Sequence, residues 1–167
     1  MNKNILTLGA ALFISAGLHG AKVDDIRKQL QDAASTFGMQ ALNKNLSTAQ
    51  QNASLSNWEK AFKNAKAFVI DNSKDLLGRK DSALIKAMSE LEKINTDLIN
   101  TIKVIRGTLP NAPISRLLGI KMNAKNTVGS LSASQFTLGS KKEAANIIIA
   151  IGRFIEEASV SMYNALL

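Results

Sequence analysis

The stretch "AANIIIAIGRFIEEASVSMYNALL" (residues 144–167) decides the fold, because its apolar residues recur every three or four positions. That spacing is the period of one face of an α-helix. Ile147 and Ile149 fall on different sides of this helix, so the helix is apolar on more than one face. The pattern predicts either a central helix or a helix covered by a partner. Ser140 and Glu143 match a capping box at its start.

The same periodicity predicts helices in the upstream part of the chain. The first runs over about residues 22–46, and the polar, small-residue stretch at 47–57 reads as a connection. A second helix is expected to begin at the capping box of Ser56 with Glu59 and to stop at Gly78.

The buried side of this second helix is predicted to begin with Trp58 and to end with Leu76 and Leu77. Trp58 is interpreted as a core anchor in preference to a ligand platform. A third helix is expected over residues 81–106, with its first residue acting as the N-cap. Asn95 lies at the edge of its apolar stripe, which indicates a structural polar spot in the core.

Residues 113–138 fit a helical stripe that is weakened by Gly119, Gly129 and a Ser-rich run, so a broken helix is expected there. Alternating strand-type runs are absent from the sequence, and aromatic residues make up only 5% of it. The predicted fold is all-α: an up-and-down bundle of four long helices plus a broken or short helix, preceded by a signal peptide.

The N-terminus has the pattern of an export signal. Lys3 provides a positive start, and residues 5–18 form an apolar segment of 14 residues. A helix of that length spans about 21 Å, which is short of the roughly 30 Å hydrocarbon core of a bilayer. The alternative, a buried N-terminal core helix, would be expected to carry polar residues on one face, and residues 5–14 offer only Thr7.

Two cleavage positions fit the small residues that follow, one after Ala21 and one after Gly17. The expected division is a signal peptide at residues 1–21 and a single helical-bundle domain at 22–167, in a periplasmic or secreted protein. Cleavage after Ala21 removes His19, the only histidine; cleavage after Gly17 leaves it near a loose terminus.

The residue types present restrict the possible chemistry. The chain has no cysteine, which excludes disulfides, thiolate nucleophiles and Cys-ligated zinc. Without a histidine in the folded domain, imidazole metal ligands and Ser-His machinery are excluded as well. Adjacent acids on a helix point in different directions, so the paired acids do not converge by themselves. These pairs are Asp24–Asp25, Glu90 with Glu92, and Glu156–Glu157. We therefore expect no enzyme, no cofactor and no metal site.

Positive charge is concentrated in one part of the sequence. The net charge is +8, and losing Lys3 would lower it to +7. Between Asp97 and Glu143 there is no acidic residue. The basic residues in this region are the candidate binding residues for an anionic surface: Lys103, Arg106, Arg116, Lys121, Lys125, Lys141 and Lys142. A lysine triplet, at positions 60, 63 and 66, is interpreted as a solvated face.

Two functions follow from these observations. The first is an exported, non-enzymatic bundle that binds a protein partner, or itself through the apolar last helix, as a structural or chaperone-like module. The alternative is a cationic binder of anionic membrane or polyanion surfaces through the basic region 103–142. Nucleic acid fits less well, because aromatic residues are few and no Arg-rich cluster is present.

Overall fold

The computed structural model describes residues 5–107, 114–131, 135–136 and 139–167, with side chains from Lys22 onward. The described residues contain five helices and no strands, so the all-α prediction is confirmed. The helices are α1 Ile5–Gln40, α2 Thr48–Asn72, α3 Ser82–Gly107, α4 Ile114–Gly129 and α5 Gly139–Leu166. Within the part of the chain that the structure describes, none of the helices combines the length and apolar character needed to cross a membrane.

Successive helices run in opposite directions, as contacts near their ends show. Arg106, in the last turn of α3, donates from Nε to the carbonyl oxygen of Ala41 just after α1, at 2.7 Å. The Oγ1 of Thr127, late in α4, lies 3.4 Å from a carboxylate oxygen of Glu90 in the first half of α3. At the start of α5, Lys141 lies beside the residue that caps α3. The bundle is therefore up-and-down.

Helix α5 is the centre of this bundle, because it packs against each of the other four helices. Its isoleucines at 147, 148, 151 and 155 have no solvent-exposed area, although they point to more than one side. The other helices of the same chain therefore cover its apolar faces. Of the two alternatives that the sequence pattern allowed, the central helix is the one observed.

A buried aromatic and amide cluster ties three helices together. The Trp58 ring of α2 stacks on Phe37 of α1, with ring centroids 5.4 Å apart and an interplanar angle of 11°. The Trp58 Nε1 donates a hydrogen bond of 2.7 Å to Oδ1 of Asn95 in α3. Because the indole N–H and the amide oxygen satisfy each other, both side chains can be buried. The predictions of a core Trp58 and a structural Asn95 are confirmed.

The predicted start of α2 was wrong. The helix begins at Thr48 and is capped by Ser47, so residues 48–57 are helical and Ser56 lies inside the helix. The backbone N–H of Ser47 donates to Oε1 of Gln50, and the N–H of Gln50 donates back to the Ser47 Oγ. This is a capping box of the same pattern as the one assigned to Ser56 and Glu59. Two capping-box patterns are present in the sequence, and the earlier one caps the helix.

The end of α2 also differs from the prediction. The helix stops at Asn72, and Gly78 lies six residues further on, in the loop that leads to α3. Gly78 has a φ of 76°, which accounts for a glycine at this turn. Leu76 and Leu77 were expected to be buried, but Leu76 is fully exposed and Leu77 is largely exposed. The predicted N-cap of α3 is confirmed, since Oδ1 of Asp81 accepts from the N–H groups of residues 83 and 84.

Helix α4 is a short helix that is uninterrupted at Gly119 and ends at Gly129, so the prediction of a broken or short helix in the 113–138 segment is confirmed. The rest of the 113–138 segment lies partly outside the described residues, which omit 132–134 and 137–138. Helix α4 packs closely on α5: a Cβ added at Gly152 would lie 2.1 Å from Cγ2 of Val128. The close approach of the two helices therefore depends on the absence of a side chain at Gly152.

The end of α1 was predicted too far along the chain. The helix ends at Gln40, six residues before the predicted end, and in the other direction it continues back to Ile5. Among its residues whose side chains the structure describes, Val23 is the first that belongs to the core cluster. Export and cleavage remain predictions, and they concern residues whose side chains lie outside the described part of the chain.

Candidate functional site

A groove of about 620 Å³ runs between α3 and α4 on the outside of the bundle. Its floor is apolar and is formed by Ala87, Ile94 and Leu131. Its α3 side carries charged residues, and its α4 side carries amides and hydroxyls. The other lining residues are Ala83, Lys86, Glu90 and Lys93 from α3, and Asn123, Asn126, Thr127 and Ser130 from or after α4.

Among the described residues that line this groove, Glu90 is the one carboxylate. Thr127 lies 3.4 Å from its Oε2 across the groove, and the Nζ of Lys86 lies 3.9 Å from its Oε1. Lys93 and Asn126 are exposed at the two rims. The groove therefore has an ammonium group on its α3 rim and an amide group on its α4 rim, with an apolar floor between them. This arrangement is suited to binding a peptide-like ligand.

Sequence reasoning did not find this groove, because it is formed by two helices whose relative position the sequence does not give. The acids singled out as pairs do not meet in it: Glu90 lines the groove and Glu92 forms an ion pair with Lys66 of α2. Among the described residues, no three His, Cys, Asp or Glu side chains are grouped as metal ligands would be.

Of the seven candidate cations, Arg106 is used inside the protein. Besides its bond to Ala41, its Nη1 donates to Oδ1 of Asn52 at 3.0 Å, and its Nη2 donates to the carbonyl oxygen of Gln51 at 2.9 Å. The guanidinium thus fastens the α1–α2 connection and the start of α2 to the end of α3. Partial burial lowers the pKa of Arg106.

The other candidates are spread along the bundle. Arg116 lies 3.8 Å from Asp97, and Lys141 lies 3.7 Å from Asp81. Lys103, Lys125 and Lys142 are exposed, and Lys121 is half-buried. Helix α3 is about 39 Å long at 1.5 Å per residue, with Lys103 near its end and Lys141 beside its start. The seven residues therefore do not form one patch.

Three of them nevertheless share α4, together with exposed apolar residues. Leu118 and Met122, one turn apart, are 39% and 62% exposed. Lys121 and Lys125 lie one turn apart beside them, and α4 contains no acidic residue. The outward face of α4 is thus a small amphipathic, cationic surface.

A second exposed feature, the loop at residues 73–81 between α2 and α3, was missed because its two leucines were assigned to a helix. Its signal in the sequence is "SKDLLGRKD", in which Asp75 precedes Gly78 by three residues. An aspartate followed by a glycine at short range is typical of a side-chain-stabilised turn. The pair Leu76–Leu77 lies at the tip of this turn.

No protein-family model, curated protein or solved structure matches this chain. Over the described residues, the fold and surfaces define a five-helix, up-and-down bundle with an open groove on one side and an exposed apolar loop at one end.

Proposed function

We propose that the chain is an exported, non-enzymatic helical-bundle protein that binds a partner protein in the groove between α3 and α4. The observation that carries the proposal is the groove itself, in which an apolar floor lies between polar rims on two helices. Grooves of this kind bind protein segments by taking apolar side chains on the floor and hydrogen-bonding groups at the rim.

The charges at the groove define the chemistry of this partner. Lys86 and Lys93 lie on the α3 rim, and Glu90, the one acid among the described lining residues, lies between them with its Oε1 3.9 Å from the Nζ of Lys86. The amide of Asn123, on the same α4 rim as Asn126, can both donate to and accept from a peptide backbone. The proposed partner segment therefore has apolar side chains for the floor and acidic side chains opposite the α3 rim.

Photo-crosslinking in the native host tests the proposal. A photoreactive phenylalanine derivative replaces Asn126 in the groove or, as a control, Asn164 near the end of α5; both positions are exposed. We expect a defined protein adduct from position 126 alone. Introducing Lys93→Glu alongside is expected to reduce the adduct at least fivefold, because it places a negative charge opposite the acidic segment.

The matched control is Lys103→Glu, which makes the same charge change at an exposed site of α3 outside the groove lining. It is expected to leave the adduct unchanged. Equal adducts from positions 126 and 164, or equal losses with the two charge reversals, would contradict docking in the groove.

A second candidate function is contact with an anionic membrane surface, supported by the outward face of α4. Leu118 and Met122 are exposed there beside Lys121 and Lys125. Cosedimentation with anionic vesicles tests this function with Lys121→Gln combined with Lys125→Gln. The double variant is expected to lower binding at least tenfold, since each lysine near an anionic surface contributes about 1 kcal/mol.

Export is tested separately by mass spectrometry of the native protein. The expected N-terminus is Lys22, or Leu18 if cleavage follows Gly17. A native chain that still begins at Met1 would remove export from the proposal and would leave the groove test unaffected.

A further inference from the structure

The loop at residues 73–81 has a fixed shape, because its own hydrogen bonds hold it. Oδ1 of Asp75 accepts from the backbone N–H groups of Leu77 and Arg79, both at 2.9 Å. The N–H of Asp75 donates to the carbonyl oxygen of Arg79 at 3.0 Å, and that of Gly78 donates to the carbonyl oxygen of Asp75 at 2.9 Å. The tip is thus a turn that is closed by hydrogen bonds between the loop's own residues.

This closed turn holds two leucines in water. Leu76 is 105% exposed and Leu77 is 77% exposed, the highest values among the large apolar residues of the described chain apart from the C-terminal Leu167. Transfer of leucine out of water is favourable, so an ordered turn that keeps two of them exposed indicates a surface that contacts an apolar medium.

The base of the turn is cationic. Lys74 and Lys80 face each other across an isolated antiparallel bridge, and both are exposed. The two acids of the loop are used internally: Asp75 holds the turn, and Asp81 caps α3 and lies 3.7 Å from Lys141. Asp71, in the last turn of α2, is the exposed acid nearest along the chain. An apolar tip therefore stands above a pair of ammonium groups.

The size and charge of the loop favour a lipid surface over a protein pocket. A stable protein interface covers about 800 Å² on each partner, far more than two side chains supply. A bilayer takes up isolated apolar side chains at the level of its headgroups and adds attraction between lysines and anionic lipids. We infer that Leu76 and Leu77 insert into the interfacial region of an anionic bilayer while Lys74 and Lys80 contact its phosphates.

This inference shares a ligand class with the second candidate function but uses a different site, and it does not depend on the groove. The test is cosedimentation of the mature chain with vesicles of phosphatidylcholine alone or mixed equally with phosphatidylglycerol. The wild type is expected to bind the mixed vesicles at least tenfold more strongly. Leu76→Ser with Leu77→Ser, and separately Lys74→Gln with Lys80→Gln, are each expected to lower that binding at least tenfold.

Two controls separate the loop from other surfaces. Met39→Ser changes another exposed apolar residue, 71% exposed on α1, and is expected to leave binding unchanged. If the Lys121→Gln and Lys125→Gln variant loses binding while the loop variants keep it, the α4 face is the membrane site and the loop inference is overturned. A wild type that binds neither kind of vesicle overturns it as well, and protection of the loop only in a protein complex would then assign the tip to a protein pocket.

Fluorescence gives a direct readout of insertion. Trp58 is 1% exposed, so its emission is expected to be insensitive to vesicles. Leu77→Trp adds an indole at the tip, where a tryptophan is suited to the membrane interface. Its emission is expected to shift to shorter wavelength with mixed vesicles and to be quenched by brominated lipid. An unchanged emission on vesicles that bind the protein would overturn insertion of the tip.

Discussion

The two ends of the bundle differ in which side chains they bury and which they expose. At one end the charged Arg106 is drawn into the protein and donates to three acceptors on the α1–α2 connection and the start of α2. At the other end Leu76 and Leu77 stand in water on a turn closed by its own hydrogen bonds. The first end is built for stability, and the second exposes apolar surface without contributing to the core.

The difference matters for interpreting charge and hydrophobicity in this chain. Arg106 belongs to the acid-free region of the sequence, yet its donors are used within the protein. The leucines fit the apolar period of α2, yet the helix ends four residues before Leu76. Burial in the folded chain, and not residue type, therefore separates structural groups from those available to a partner.

Among the changes made at the two ends, the largest effect is expected from Arg106→Met. The variant keeps an apolar stem but leaves the acceptors at Ala41, Gln51 and Asn52 without their donor. We expect the free energy of unfolding to fall by about 3 kcal/mol, measured by urea denaturation.

Arg106→Lys is expected to be more stable than Arg106→Met but less stable than the wild type, because a single ammonium group cannot reproduce all the hydrogen bonds of the forked guanidinium. Lys103→Met, one turn earlier on α3 and exposed, should change stability by less than about 0.5 kcal/mol. Equal effects at the two positions would mean that Arg106 does not fasten the end.

A somewhat smaller loss of stability is expected from a change in the contact between α4 and α5, at Gly152. Gly152→Ala would force a Cβ against Val128 in α4. Overpacking costs about 2 kcal/mol and the better helix propensity of alanine returns about 1, so we expect a net loss of about 1 kcal/mol by thermal unfolding.

Gly119→Ala is the matched control, because a Cβ at Gly119 meets nothing within 4 Å. It should stabilise the protein by about 0.5 to 1 kcal/mol. Adding Val128→Ala to Gly152→Ala should relieve the clash. If the two glycine substitutions behave alike, close approach of α4 and α5 does not depend on Gly152.

Sequence periodicity was sufficient for what depends on one helix at a time. It identified α3 and α5, the N-cap at Asp81 and the buried positions of Trp58 and Asn95. It failed where two local signals compete, as at Ser47 and Ser56, which both begin a capping-box pattern. It also could not find the α3–α4 groove or the role of Arg106, because both depend on how separate helices are placed against one another.

Substitution of Asp75 is expected to loosen only the loop at residues 73–81. The hydrogen bond from the backbone N–H of Arg79 chiefly lowers the pKa of the Asp75 carboxyl below its ordinary value of 3.8, with Leu77 and the Arg79 guanidinium adding to it. A lowered pKa means that the ionised carboxyl favours the ordered turn. That contribution is present above about pH 3.8 and is lost as pH falls through the folded pKa.

Hydrogen exchange at the N–H groups of Leu77 and Arg79 measures this loosening. Asp75→Ala should raise both exchange rates at neutral pH, while Asp75→Asn, which keeps an accepting oxygen, should raise them less. Global stability should change little in either variant, because the turn stands apart from the core. Unchanged exchange in Asp75→Ala would show that the side chain does not hold the turn.

The smallest effect on stability is expected from Leu76→Ser combined with Leu77→Ser. These side chains are exposed and contribute nothing to the core cluster, so the free energy of unfolding should change by less than about 0.5 kcal/mol. The nearest contrast is Leu84→Ser in the first turn of α3, where a fully buried leucine is replaced and a loss of several kcal/mol is expected. If urea denaturation instead gave a large loss for the double variant, the leucines would be packing against the bundle. The exposed tip would then be a structural element like the end held by Arg106, and the contrast between the two ends would fail.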